Sequence, residues 1–101
     1  MSYQIIWQPN SEITYFKEIE FIFHKWNHKE VQKFQDLVFE NLNRLEENPL
    51  IGKYDKLLNV YVMVISKQTT LYYNFNQKDK VIDLHVFWNN QKNPEDITKL
   101  L

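Results

Sequence analysis

Apolar and polar positions alternate along Val81–Trp88, with Ile82, Leu84, Val86 and Trp88 on one side and Val81, Asp83, His85 and Phe87 on the other. A period of two is that of a strand with one covered face, so the first set is expected to pack on helices and Asp83 and His85 to lie on the open face. Three β-rich runs, Leu57–Ser66, Thr69–Asn76 and Lys80–Trp88, are separated by short turns, which predicts an antiparallel meander. Asn76-Gln77-Lys78-Asp79 has hairpin-turn chemistry, and Ser66-Lys67-Gln68 joins the first two runs.

Upstream, the period changes. Tyr3–Trp7 reads as a first strand closed by Pro9-Asn10-Ser11, with Asn10 or Ser11 as the cap of a helix whose apolar set is Ile13, Phe16, Ile19, Phe23 and Trp26. Tyr15 and Ile22 widen that face. Asn27 and Glu30 have the spacing of a reciprocal capping box, and Val31, Phe34, Val38, Leu42 and Leu45 mark the buried stripe of a second helix ending at Pro49. The short break predicts a helical hairpin. Gly52, the only glycine, is expected to supply a backbone angle that other residues resist. Asn93-Pro94-Glu95-Asp96 then starts a short terminal helix through Ile97, Leu100 and Leu101. The fold class is therefore α+β: an N-terminal strand, an antiparallel two-helix hairpin, a three-strand meander forming one sheet covered by helices on one face, and a short C-terminal helix, all in one domain over residues 1–101.

Composition narrows the function classes. Twelve Lys and Arg against 13 Asp and Glu give a net charge of -1, without the positive excess of a protein that grips phosphate backbones by bulk electrostatics. Cysteine is absent, which removes disulfides, thiolate nucleophiles and thiolate metal sites. No signal-peptide pattern opens the chain and no apolar run is long enough to span a bilayer, so a cytoplasmic protein without membrane association is expected. The aromatic residues exceed the needs of a core, which points to a partner surface.

Candidate chemistry is sparse. One glycine cannot build a phosphate-binding loop, and His24 and His28 lack a third ligand, so neither cofactor nor metal is expected. His85 is the best general acid or base by type, with Asp83 on the same strand face, against the plainer reading of an exposed strand histidine. Cleavage of RNA through its 2′-hydroxyl needs a proton acceptor, a proton donor and a cation; Tyr61, Lys67, Tyr72, Tyr73, His85 and Lys92 are of the right types. The only arginine, Arg44, lies in the second helix. Tyr61, Tyr73, Phe75 and Phe87 read as core residues before they read as base-stacking platforms.

Nearly all of the chain resembles the RelE/ParE superfamily, the toxins of bacterial type II toxin–antitoxin modules, often labelled plasmid stabilisation proteins. The residues that carry the likeness are Ile5-Ile6-Trp7 followed by Asn10-Ser11, the hairpin end Leu42-Asn43-Arg44-Leu45-Glu46-Glu47-Asn48-Pro49, and the Pro49–Gly52 spacing. They continue with Val64-Ile65-Ser66-Lys67, Leu71-Tyr72-Tyr73 and Ile82–Trp88 running into Asn89–Pro94. The resemblance implies neutralisation by a small cognate antitoxin whose extended segment wraps the hairpin and sheet. It implies one of two targets: DNA gyrase in the ParE-like branch, or messenger RNA on the ribosome in the RelE-like, endoribonuclease branch. Where relatives commonly carry an arginine in the first meander strand this chain has Tyr61, and Gln91 stands where many have arginine. These departures and the near-neutral charge favour the ParE-like branch, with the RelE-like branch and an inactive antitoxin-binding homologue as alternatives. For an RNase the likeness implies Lys67, Tyr73 and His85 as catalytic residues; for target or antitoxin contacts it implies Tyr61, Trp88, Gln91, Phe16 and Phe34.

Overall fold

The computed structural model describes residues 2–101. These build a five-stranded mixed sheet with strand order β1-β5-β4-β3-β2. The strands are β1 (Gln4–Trp7), β2 (Lys53–Asp55), β3 (Val60–Val64), β4 (Thr69–Asn76) and β5 (Val81–Asn89). The pairing β2-β3-β4-β5 is antiparallel, and β1 runs parallel to β5. Two helices, α1 (Pro9–Lys25) and α2 (His28–Glu47), cover one face of the sheet.

The second helix follows its sequence closely. Asn27 Oδ1 accepts from Glu30 N at 3.0 Å, and Val31, Phe34, Val38, Leu42 and Leu45 are all buried. The reciprocal half of the cap is not made, because the Glu30 carboxylate pairs with Lys33 Nζ at 3.3 Å.

The first helix departs from expectation. It begins at Pro9, whose fixed φ suits the first helical position, and Gln8 stands at the cap without a side-chain bond. Its buried face is Ser11, Thr14, Tyr15, Glu18 and Ile22, whereas Ile13, Phe16, Phe23 and Trp26 are exposed. The helix is thus rotated by about one residue, roughly 100°, from the orientation its apolar stripe predicts. Small Ser11 and Thr14 allow close approach to β5, where Thr14 Oγ1 accepts from Phe87 N at 2.9 Å. Thr14 and Glu18 are buried at low cost because the sheet supplies partners for them, and Ser11 Oγ donates to the Gln8 carbonyl at 2.6 Å.

The meander differs in two places. The run Leu57–Ser66 forms a strand only from Val60, because Asp55 Oδ1 accepts from Leu57 N and Leu58 N and Asn59 turns the chain at φ 58°. The residues before that turn add the unforeseen edge strand β2. In β5 the register steps from Tyr73↔Leu84 to Tyr72↔Val86, leaving His85 unpaired as a bulge. The alternation therefore inverts: Ile82 and Leu84 face the helices as expected, but so does Phe87, which stacks on Trp7 at 5.4 Å. Val86 and Trp88 pass to the other face, where Ile97 packs on them.

Gly52 has an ordinary extended backbone, φ -77° and ψ 167°. Its lack of a side chain serves close approach instead, since a Cβ there lies 2.9 Å from Tyr73 Cε1. The terminal segment Pro94–Lys99 is a 3₁₀ helix capped by Asn93, and it covers one corner of the sheet face opposite the helices.

Candidate functional site

On the face opposite the helices, the bulge presents His85 beside Asn74 of β4. Asn74 Nδ2 lies 3.1 Å from His85 Nε2 and 3.3 Å from the Asn59 carbonyl oxygen. A carbonyl can only accept, so this end of the amide donates, His85 Nε2 accepts, and the imidazole proton sits on Nδ1. Asp83 is not the orienting partner; its Oδ1 accepts from Gln8 Nε2 at 2.8 Å. Burial lowers the His85 pKa from its ordinary 6.5 against the opposing pull of Asp83, so the ring is neutral at physiological pH. Leu58, Val60 and Leu101 wall a hollow of about 230 Å³ around it.

Tyr73 lies on the opposite side of the sheet. Its side chain is fully buried, its hydroxyl donates to the Pro49 carbonyl at 2.6 Å and accepts from Gly52 N at 3.0 Å, and burial pushes its pKa up to about 12. That phenol is committed to holding the connection after α2 against the sheet. Tyr61 stacks on Tyr73 at 5.6 Å and lies 5.0 Å from Phe75, so it too packs against the helix-side core rather than sharing the open face with His85. Lys67 is exposed in the β3–β4 turn, where its carbonyl accepts from Asn90 Nδ2 at 3.0 Å. From Thr69, just beyond that turn, to Asn74 beside His85 is five residues of β4, about 17 Å. Lys67, Tyr73 and His85 are therefore not brought together.

The other four candidates divide likewise. Trp88 is buried against Ile97, with Lys92 Nζ 5.8 Å from its ring, and Gln91 is exposed just beyond β5. Phe34 is buried and stacks on Tyr15 at 5.9 Å. Phe16 is 60% exposed and, with Trp7, Tyr15 and Phe39, borders a hollow of about 330 Å³. Ile13, Phe16 and Phe23 are exposed along one side of α1, Phe39 of α2 borders the same hollow as Phe16, and exposed Trp26 and Leu37 line a separate hollow elsewhere on the hairpin. Scattered exposed apolar residues are ordinary, but large apolar side chains recurring along one side of α1, with Phe39 beside them, are the pattern of an interaction face.

One buried polar group was not anticipated. Glu18 Oε1 accepts from Thr69 Oγ1 at 2.7 Å and its Oε2 from Asn89 Nδ2 at 3.0 Å. Desolvation raises its pKa, while Thr69, Asn89 and Lys92 pull the other way. The sequence holds a faint signal for it: Ser11, Thr14 and Glu18 recur at helical spacing, a pattern that reads equally as a solvated face. Among the described residues no group of three or more His, Asp or Glu could hold a metal ion.

Neither a family model nor a curated protein matches the chain. A solved structure does: one chain of the toxin-antitoxin complex RelBE2 from Mycobacterium tuberculosis is similar at a TM-score of 0.59, covering 89% of this chain and 100% of that one at 13% identity. The fold is RelE-like. This α+β architecture, an N-terminal strand and two helices on a mixed sheet, is what the two chains share. At that identity the likeness speaks for the RelE-like backbone and leaves side-chain chemistry to be argued from this chain alone.

Proposed function

We propose that this protein is the toxin component of a type II toxin–antitoxin module in a bacterial cytoplasm, neutralised by a small cognate antitoxin and directed at DNA gyrase. The observation that carries the reading is the row of exposed apolar side chains Ile13, Phe16 and Phe23 along α1, with Phe39 of α2 bordering the same hollow as Phe16, on a fold shared with a chain of the RelBE2 complex. An extended or amphipathic antitoxin segment that lays apolar anchors on α1 and α2 accounts for aromatic residues in water at these positions. Phe16 is the residue with most to gain from cover.

The choice of gyrase over messenger RNA rests on the scattered state of the nuclease candidates. A cleavage centre needs acid, base and cation within reach of one phosphate. Tyr73 has its phenol occupied on the far side of the sheet, and Lys67 is a strand's length from His85. The alternative, RNA cleavage in the RelE-like manner, is favoured by the neutral His85 imidazole on the open face. Supercoiling assays with purified gyrase and the purified chain separate the two. Inhibition of supercoiling, with ribosome-bound messenger left intact, is the expected result; intact supercoiling with cut messenger identifies the nuclease instead, and a His85→Ala variant then loses the cutting.

A further inference from the structure

The hollow beside Phe16 is walled almost wholly by aromatic rings. Trp7 of β1, Tyr15 and Phe16 of α1 and Phe39 of α2 line about 330 Å³, which falls within the roughly 300–1,000 Å³ usual for small-molecule sites. Two of these rings are anchored in the core. Trp7 stacks on Phe87 at 5.4 Å, and Tyr15, only 6% exposed, stacks on Phe34 at 5.9 Å. Trp7 meets Tyr15 at 70° and Tyr15 meets Phe16 at 62°, so neighbouring rings form the corner of a box and not a flat stack.

The one charged residue on the lining is Glu12, and its carboxylate makes no ion pair among the described residues, where the pairs are Lys33–Glu30 and Lys99–Asp96. The chain's own cations that sit over rings do so elsewhere: Lys25 on Phe21 and Trp26, Lys80 on Tyr3 and Lys92 on Trp88. The four lining rings and the carboxylate therefore have no partner cation within the described residues. The face of an aromatic ring carries the negative end of its quadrupole, so a cation set among several rings gains from each. Glu12 adds attraction of the same sign and repels an anion.

We infer that this hollow binds a small organic cation of the alkylated-ammonium class. The methyl groups of the ligand pack on Trp7, Tyr15, Phe16 and Phe39, and Glu12 balances its charge. The inference goes beyond the toxin reading and does not rest on it, because the ligand is held by residues of this chain alone, whatever the domain's target. Phe16 also belongs to the proposed antitoxin contact, so the binding is measured on the free chain.

The test is an NMR titration of the full chain with choline and with 3,3-dimethylbutan-1-ol, the neutral molecule in which carbon replaces the ammonium nitrogen. The two have nearly the same shape, so charge is the difference read. Choline is expected to shift the Trp7 indole and the Phe16 and Phe39 ring signals and to bind about tenfold more tightly than the alcohol. Glu12→Gln is expected to weaken choline about threefold and leave the alcohol unchanged. Phe16→Leu keeps an apolar side chain but removes a ring, and is expected to weaken choline about threefold as well. Both positions are exposed, and Phe39→Leu serves equally if either variant fails to fold. Absence of saturable choline binding, equal affinity for choline and the alcohol, shifts confined to other surfaces, or an unchanged choline affinity in either variant overturns the inference. So does tighter binding of a capped lysine tripeptide than of choline, which assigns the hollow to a side chain of a partner protein.

Discussion

Glu18 is a charge-bearing residue turned inward, and its pH response is a direct check on how α1 sits. Because burial raises its folded-state pKa above the ordinary 4.5, the native state holds that proton more tightly than the unfolded chain does. Its contribution to stability is therefore fully present below the ordinary value and declines as pH rises through the raised one. Urea unfolding at pH values from about 4 to 7 is expected to show Glu18→Gln gaining on the native protein as pH rises, since glutamine offers polar atoms to Thr69 and Asn89 without a charge to desolvate. A constant difference between the two proteins places Glu18 in water. Tyr73 makes the complementary case. Tyr73→Phe leaves the Pro49 carbonyl and Gly52 N–H without their buried partner, an expected loss of about 1–3 kcal/mol by denaturant unfolding with the fold retained. If the variant keeps native stability, the phenol is not the tie between sheet and connection described above. Neither role was legible in the sequence, where Tyr73 reads as a core aromatic or a site tyrosine and Glu18 as a solvated acid; both depend on partners 20 or more residues away.

At the scale of elements, α2 and the meander turns were legible because local chemistry and tertiary packing agree in them. Asn27 caps, the Val31–Leu45 stripe is buried, and the Asn76 side chain accepts from Lys78 N and Asp79 N where the hairpin turn was expected. The first helix was legible as a helix but not in its orientation. Its largest apolar residues do not face its own core, and periodicity cannot tell a stripe that faces the sheet from one that faces a partner. In β5 a single unpaired residue, His85, inverts the sides of Val86, Phe87 and Trp88, and no residue type in that run announces the bulge. The orientation of α1 gives a clean separation of stability from binding. Phe16→Asp, alone or with Ile13→Asp, is expected to change unfolding free energy by no more than about 0.5 kcal/mol while abolishing capture of the proposed antitoxin. Calorimetric titration checks the second part; a variant that unfolds means that the stripe belongs to the core after all.

At the scale of the whole molecule, the two faces of the sheet are unequal. One is covered by α1 and α2; the other is covered only at a corner, where Ile97 of the terminal 3₁₀ segment meets Val86 and Trp88. The hairpin then carries an apolar surface outward, and the charges are nearly balanced. A molecule built this way offers apolar anchors to a partner and lacks the net positive field that attracts nucleic acid at a distance. This is the design expected of a toxin held by a wrapping antitoxin, and it is why the α1 and α2 surface carries the proposal while the dispersed nuclease candidates do not. The most direct test is growth of a bacterial culture after tightly controlled induction of this chain, alone and together with its proposed antitoxin. The account predicts arrest when it is induced alone and recovery when the two are made together. Undisturbed growth with abundant soluble protein, in a host whose gyrase and ribosomes are those of the native organism, contradicts it.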